Sequence, residues 1–148
     1  MSHSCDAHDP PPLDNARVLV VEDEFIIMLE LASLLEDAGA GIVGPFSGIR
    51  EALAAAQVET IDAAILDLRL GSDSIAPVAR KLSQRGIPFM FYTGQTETDP
   101  MLAEWPGHRV LGKPAEPAVI VAALRRLLGR ARDARGQAQS EDQTPALP

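Results

Sequence analysis

The chain has 148 residues, 46% of them hydrophobic, a length and composition that suit one packed core without metal clips or disulfides. Its 13 basic and 21 acidic residues leave a net charge of -8, which argues against independent nucleic-acid binding, since that depends on neutralising many phosphates. A single cysteine, Cys5, excludes an internal disulfide and fits a reducing cytosol; no apolar run approaches the roughly 20 residues of a membrane span, and residues 1–15 do not read as a signal peptide.

Residues 1–15, with a run of prolines, read as a disordered tail, as do residues 132–148, where no apolar period survives. The folded part is expected over residues 16–131. Residues 18–21 form a first, largely β-branched strand. Ile27, Leu31, Leu34, Leu35 and Ala38 recur at helical spacing, and Gly39 closes that helix. Ile42 and Val43 make a weak second strand, and Ile49, Ala52, Leu53 and Ala56 a second helix. Residues 63–66 are a third strand, followed by a helix through Ile75, Val78, Ala79 and Leu82 that Pro77 can open without a kink if Ser74 caps it. Residues 87–92 are a fourth strand and residues 109–111 a fifth. Ile120, Ala123, Leu124, Leu127 and Leu128 trace the last helix. Between strands four and five, residues 95–107 carry two prolines and few apolar side chains, so the fourth helix is expected to be short or mobile. Uniformly apolar strands alternating with helices predict an α/β, doubly wound, five-stranded parallel sheet covered on both faces.

In such a sheet the binding crevice lies beyond the carboxyl ends of the strands. Strand one is followed by Glu22 and Asp23, strand three by Asp67, strand four by Thr93 and strand five by Lys113. Strand two, predicted at the edge, contributes nothing chemical. Clustered carboxylates call for a hard divalent cation, and magnesium suits because it keeps waters and phosphate oxygens beside a few acids. A carboxylate on such a cation can attack a phosphoryl donor, and Lys113 and Thr93 are donors for the transferred oxygens. Alone, Asp23 could cap the first helix, Asp67 or Thr93 could be turn residues and Lys113 could be solvated. Their coincidence at four strand ends favours a site.

The order Val-Val-Glu-Asp-Glu, Ile-Leu-Asp-Leu-Arg-Leu-Gly, Phe-Tyr-Thr-Gly and Leu-Gly-Lys-Pro resembles the receiver domains of two-component response regulators over residues 16–130. That resemblance implies the flavodoxin-like receiver fold with strand order 2-1-3-4-5. It implies a phosphorelay switch, not an enzyme acting on other substrates, with Asp67 as phosphoacceptor for a sensor histidine kinase or histidine phosphotransferase. Magnesium would be held by Asp67, by Asp23 directly, by Glu22 mainly through water and by the backbone carbonyl of Arg69. Thr93 and Lys113 would bind the phosphoryl group, and the Lys113–Pro114 bond would be cis. Segments around Leu70-Gly71 and Pro88 to Gly94 further resemble single-domain receivers named for a Phe-Ala-Thr-Gly-x-Tyr motif, with Tyr92 and Thr96 departing from it. The lone cysteine, the acidic charge and the lack of a long apolar run lead to the expectation of a cytoplasmic protein contacting neither nucleic acid nor membrane, and the roughly twenty residues beyond the last predicted helix to that of no output domain; a homodimer is compatible with all of these.

Receivers usually carry Tyr or Phe three residues before the lysine, a ring that rotates inward on phosphorylation; here the residue is Val110. Tyr92 is the nearest ring, but strand alternation puts it on the face opposite Thr93. A switch through residues 95–107 is therefore the expected route. Two other functions are weighed against the switch. A constitutive interaction module with a vestigial pocket is disfavoured by the intact set of site residues. A metal-aspartate phosphatase needs a second acid two residues after its nucleophile, where this chain has Arg69. Arg69 otherwise reads equally as a surface residue or as an influence on dephosphorylation. His3, Cys5 and His8 lack metal-ligand spacing, and Trp105 reads as local packing.

Overall fold

The structure, a computed structural model, describes residues 11–94 and 100–142. Strand β1 (Arg17–Val21) leads to helix α1 (Phe25–Asp37), which ends in a Schellman motif. There the Ala40 N–H donates to Leu35 O at 3.0 Å and the Gly39 N–H to Glu36 O at 3.0 Å, with Gly39 at φ 94°. Strand β2 (Gly41–Phe46) and helix α2 (Ile49–Val58) follow, then β3 (Ala63–Leu66). Two-residue strands β4 (Arg69–Leu70) and β5 (Asp73–Ser74) pair antiparallel around Gly71, whose φ of 62° the turn requires. Helix α3 (Ala76–Gln84) carries Pro77 in its first turn, and Ser74 Oγ accepts from the Ala76 N–H at 3.1 Å. Strand β6 (Phe89–Thr93), a 3-10 helix (Pro100–Glu104), β7 (Val110–Gly112) and helix α4 (Pro117–Asp142) complete the described chain.

The main sheet is parallel with order β2-β1-β3-β6-β7, the expected 2-1-3-4-5 once the short β4–β5 pair is set aside. Alternating side chains sort into two cores. On one face Leu19, Val21, Leu66, Phe89 and Phe91 pack against α2 and α3, with Met101 and Trp105 added from the segment after β6. On the other, Val18, Val20, Ile65, Met90 and Tyr92 pack against Leu31 and Leu35 of α1 and Ile120, Leu124 and Leu128 of α4. Strands buried on both faces explain the uniformly apolar runs. Among the described residues, no helix is long and apolar enough to cross a membrane.

The expected domain edges shift at both ends. Leu13, assigned to a disordered tail over residues 1–15, is buried, and its N–H donates to Ala38 O at 2.8 Å. A leucine after three prolines can reach the end of α1, and its burial offsets the entropy of ordering a few residues. Residues 1–10 lie outside the described residues. Residues 132–142, assigned to a disordered C-terminal tail within 132–148, continue α4 as helix backbone; helix formers such as Ala, Arg and Gln recur there, so propensity extends the helix past its apolar stripe. Residues 143–148 are outside the description. The expected fourth helix is the single 3-10 stretch Pro100–Glu104, where Pro100 and Pro106 leave room for little more; residues 95–99, part of the segment expected to be mobile, are outside the described residues. Strand β2 runs beyond Ile42 and Val43 to Phe46, with a register shift opposite β1.

Candidate functional site at the carboxyl end of the sheet

Three strand ends fix the site through main-chain bonds. The Glu22 N–H donates to Phe46 O at 2.9 Å, the Asp67 N–H to Val21 O at 2.9 Å and the Lys113 N–H to Thr93 O at 3.0 Å. Each functional side chain thus leaves a backbone that the parallel ladder has already ordered. Strand β2, expected to add nothing, supplies the Phe46 carbonyl that positions Glu22.

Lys113 Nζ is the hub. It lies 2.7 Å from Glu22 Oε1, 3.0 Å from Asp67 Oδ2 and 3.2 Å from Glu24 Oε1. Glu22, Asp67 and Thr93 are buried, whereas Glu24 is exposed. The Glu24 N–H donates to Glu22 Oε2 at 3.0 Å. Glu22 Oε1 is fully buried, and Lys113 Nζ is its partner. Burial pushes the Glu22 carboxyl up to about 7, with Asp67 adding to the shift and Lys113 and the Glu24 N–H opposing it. Burial pulls the Lys113 ammonium down, but hydrogen bonds and charge from Glu22 and Asp67 outweigh it and hold the group above its usual range. The two directions are compatible because Asp67 keeps Lys113 cationic even where Glu22 takes a proton.

Oxygens of Glu22, Glu24 and Asp67 can lie within 4.8 Å of one another, close enough to share an ion. Three carboxylates face one ammonium, so their charge is only partly neutralised by the side chains around them. That donor set suits a hard, oxygen-seeking divalent cation.

Asp23 stands apart from this trio. It is exposed, and its Oδ2 accepts from the Gly71 N–H at 2.8 Å. It does not cap α1 either, because the N-cap residue is Glu24, without a side-chain cap bond. Arg69, whose carbonyl is the remaining expected ligand, is half-buried at the start of β4, two residues beyond Asp67. Thr93 is the last residue of β6. Glu24 is the residue that the sequence reading missed; the acidic run 22–24 contained it, but which of three consecutive acids turn inward depends on where α1 starts. The Lys113–Pro114 peptide is cis, as expected.

Away from the acids, Tyr92 points to the opposite face of the sheet, and its hydroxyl accepts from the Ala115 N–H at 3.1 Å. Val110 is half-buried on the face of Phe91. Trp105 packs edge-on against Phe89 at 6.1 Å between ring centroids, which makes it local packing, as expected.

Residues 18–125 match the response regulator receiver domain model. The transcriptional regulatory protein PdtaR of Mycobacterium tuberculosis is 32% identical over 84 residues, 56% of this chain and 41% of that protein. The chain thus matches about two fifths of the length of this curated relative. The solution structure of SdrG from Sphingomonas melonis is 37% identical with TM-score 0.67, covering 77% of this chain and 97% of that one. The response regulator PhyR from Brucella abortus superposes with TM-score 0.76 at 24% identity, over 93% of this chain and 58% of that one, which speaks to the fold alone. A parallel sheet of this order, acids and a lysine meeting at its carboxyl end, and a family model spanning most of the sequence agree: the chain belongs to the response regulator receiver domain family of two-component signalling.

Proposed function

We propose that the protein is a phosphorylation switch in which Asp67 accepts a phosphoryl group from the phosphohistidine of a sensor histidine kinase or histidine phosphotransferase, and which then signals through altered protein contacts. The observation that carries this reading is Lys113 Nζ, held 3.0 Å from Asp67 Oδ2 and 2.7 Å from Glu22 Oε1 at the end of an apolar sheet. A lysine so placed neutralises the acids before transfer and faces the oxygens of a phosphoryl group afterwards. In the step itself an Asp67 carboxylate oxygen bonds to phosphorus, the phosphorus–nitrogen bond of the donor breaks, and the imidazole leaves with the electron pair. Thr93, buried at the end of β6, is the proposed hydroxyl donor to the transferred oxygens.

Bound magnesium supplies charge neutralisation at the phosphoryl oxygens. Glu22, Asp23, Asp67 and the Arg69 carbonyl are the residues proposed to hold it, with Glu24 at the rim. Asp23 Oδ2 is engaged by the Gly71 N–H, and its role as a ligand rests on family resemblance. Arg69 in place of a second acid two residues after Asp67 argues against repeated hydrolysis of phosphate esters, so the chemistry is limited to the protein's own phosphorylation and dephosphorylation. A cytoplasmic setting is part of the same proposal.

The test is phosphoryl incorporation from acetyl phosphate, with and without magnesium, followed by intact mass. Incorporation is expected in the wild type only with the metal and is lost in Asp67→Asn. Equal incorporation in Asp67→Asn, or incorporation unaffected by chelation, contradicts the proposal.

A further inference from the structure

We propose that Tyr92 is the positioning residue through which the state of Asp67 reaches the groove between α1 and α4. This rests on the phosphoacceptor role proposed above and deepens it by assigning a route of transmission. Two ties fix the turn after β7. Main chain holds its start, where the Lys113 N–H donates to Thr93 O at 3.0 Å, and a side chain holds its end, where the Tyr92 hydroxyl accepts from the Ala115 N–H at 3.1 Å. Lys113 Nζ also sits 5.9 Å from the centre of the Tyr92 ring, within the range of cation–ring attraction. The two ties come from neighbouring residues of one strand that face opposite sides of the sheet.

The Tyr92 ring is buried among α1 and α4 side chains. With Ala115, Pro117, Leu31 and Ile120 it lines a groove of about 500 Å³ between those helices. When the acceptors of Lys113 change from Glu22 and Asp67 to phosphoryl oxygens, the ammonium is drawn along with its main chain, and the Ala115 N–H is displaced against a fixed hydroxyl. The turn then either carries the Tyr92 side chain with it or gives up the bond, and both alter the groove wall. Val110, an aliphatic residue on the other face, offers no ring for this purpose.

The test uses the full chain in three forms: wild type, Tyr92→Phe, which keeps the ring and removes the acceptor, and Tyr92→Leu. Each is labelled with acetyl phosphate, and amide spectra are recorded with magnesium before and after beryllofluoride. The expected result is comparable labelling of wild type and Tyr92→Phe, with beryllofluoride-induced shifts at Leu31, Ala115 and Ile120 reduced about fivefold or more in Tyr92→Phe and Tyr92→Leu alike. Undiminished groove shifts in Tyr92→Phe overturn the inference, as does a fall in melting temperature with the groove response intact, which marks a purely structural bond. Loss of labelling in Tyr92→Phe also overturns it, because the residue then acts in transfer itself. A wild type that is labelled but shows no groove response defeats only this inference, whereas a wild type that is never labelled defeats the phosphoacceptor reading as well.

Discussion

On one face of β6, Phe89 and Phe91 pack into the core under α2 and α3, and Thr93 continues that row to the strand end. On the other face, Met90 and Tyr92 pack under α1 and α4, and the row ends in a hydroxyl that holds the turn after Lys113. The first face therefore carries the proposed reacting groups over an aliphatic Val110, and the second carries an aromatic ring tied to the same lysine turn. One strand, read at period two, separates a chemical face from a mechanical one.

The largest expected effects test whether the two cores are independent. Leu82→Ala on the α3 side and Leu124→Ala on the α4 side each remove a fully buried leucine and should each cost about 3 kcal/mol in urea unfolding. Their sum in the double variant should be additive within about 0.5 kcal/mol; a larger departure means that the sheet couples the faces. Lys113→Ala removes the cation that meets both Asp67 and the Tyr92 ring and should slow labelling by acetyl phosphate about a hundredfold, read as initial rates. Leu13→Ala should cost about 2 kcal/mol, because Leu13 belongs to the α1–α4 core although it precedes β1; unchanged stability would return residues 11–15 to the tail.

A smaller effect separates the acids. Asp23→Asn is expected to weaken magnesium binding about tenfold and Glu24→Gln less than that, by titration calorimetry; the reverse order would make Glu24 the ligand and leave Asp23 to the Gly71 N–H. The smallest effect concerns His108, stacked on Phe89 at 4.5 Å between ring centroids, where burial lowers its affinity for a proton below the ordinary value of 6.5. The unfolded chain binds that proton first, so this contribution to stability is present above pH 6.5 and is lost as pH falls through the folded value. Melting temperatures of His108→Phe should show a shallower slope below pH 6.5 than the wild type.

The sheet was legible because each central strand is apolar on both faces, and β3 falls at residues 63–66 as periodicity predicts. The positions of Asp67, Thr93 and Lys113 followed from the same logic, since each comes at the carboxyl end of a strand. What sequence could not resolve were choices among neighbours. Which of Asp23 and Glu24 meets Lys113 depends also on the Gly71 turn 48 residues away, whose amide holds the Asp23 carboxylate. The burial of Leu13 depends on a gap at the end of α1 that exists only once the sheet has formed. Tyr92 was placed correctly on the face opposite Thr93, but its bond to Ala115 needs the shape of the turn after β7, which no period encodes.

The anchoring of Leu13 to Ala38 has a practical consequence. It lies where β1 begins, while Glu22 lies where β1 ends, about 17 Å away for a five-residue strand. A surface tether or fusion partner joined ahead of Pro11 therefore departs from the pole opposite the acids. Immobilised in that orientation, the protein presents its carboxylate end away from the support.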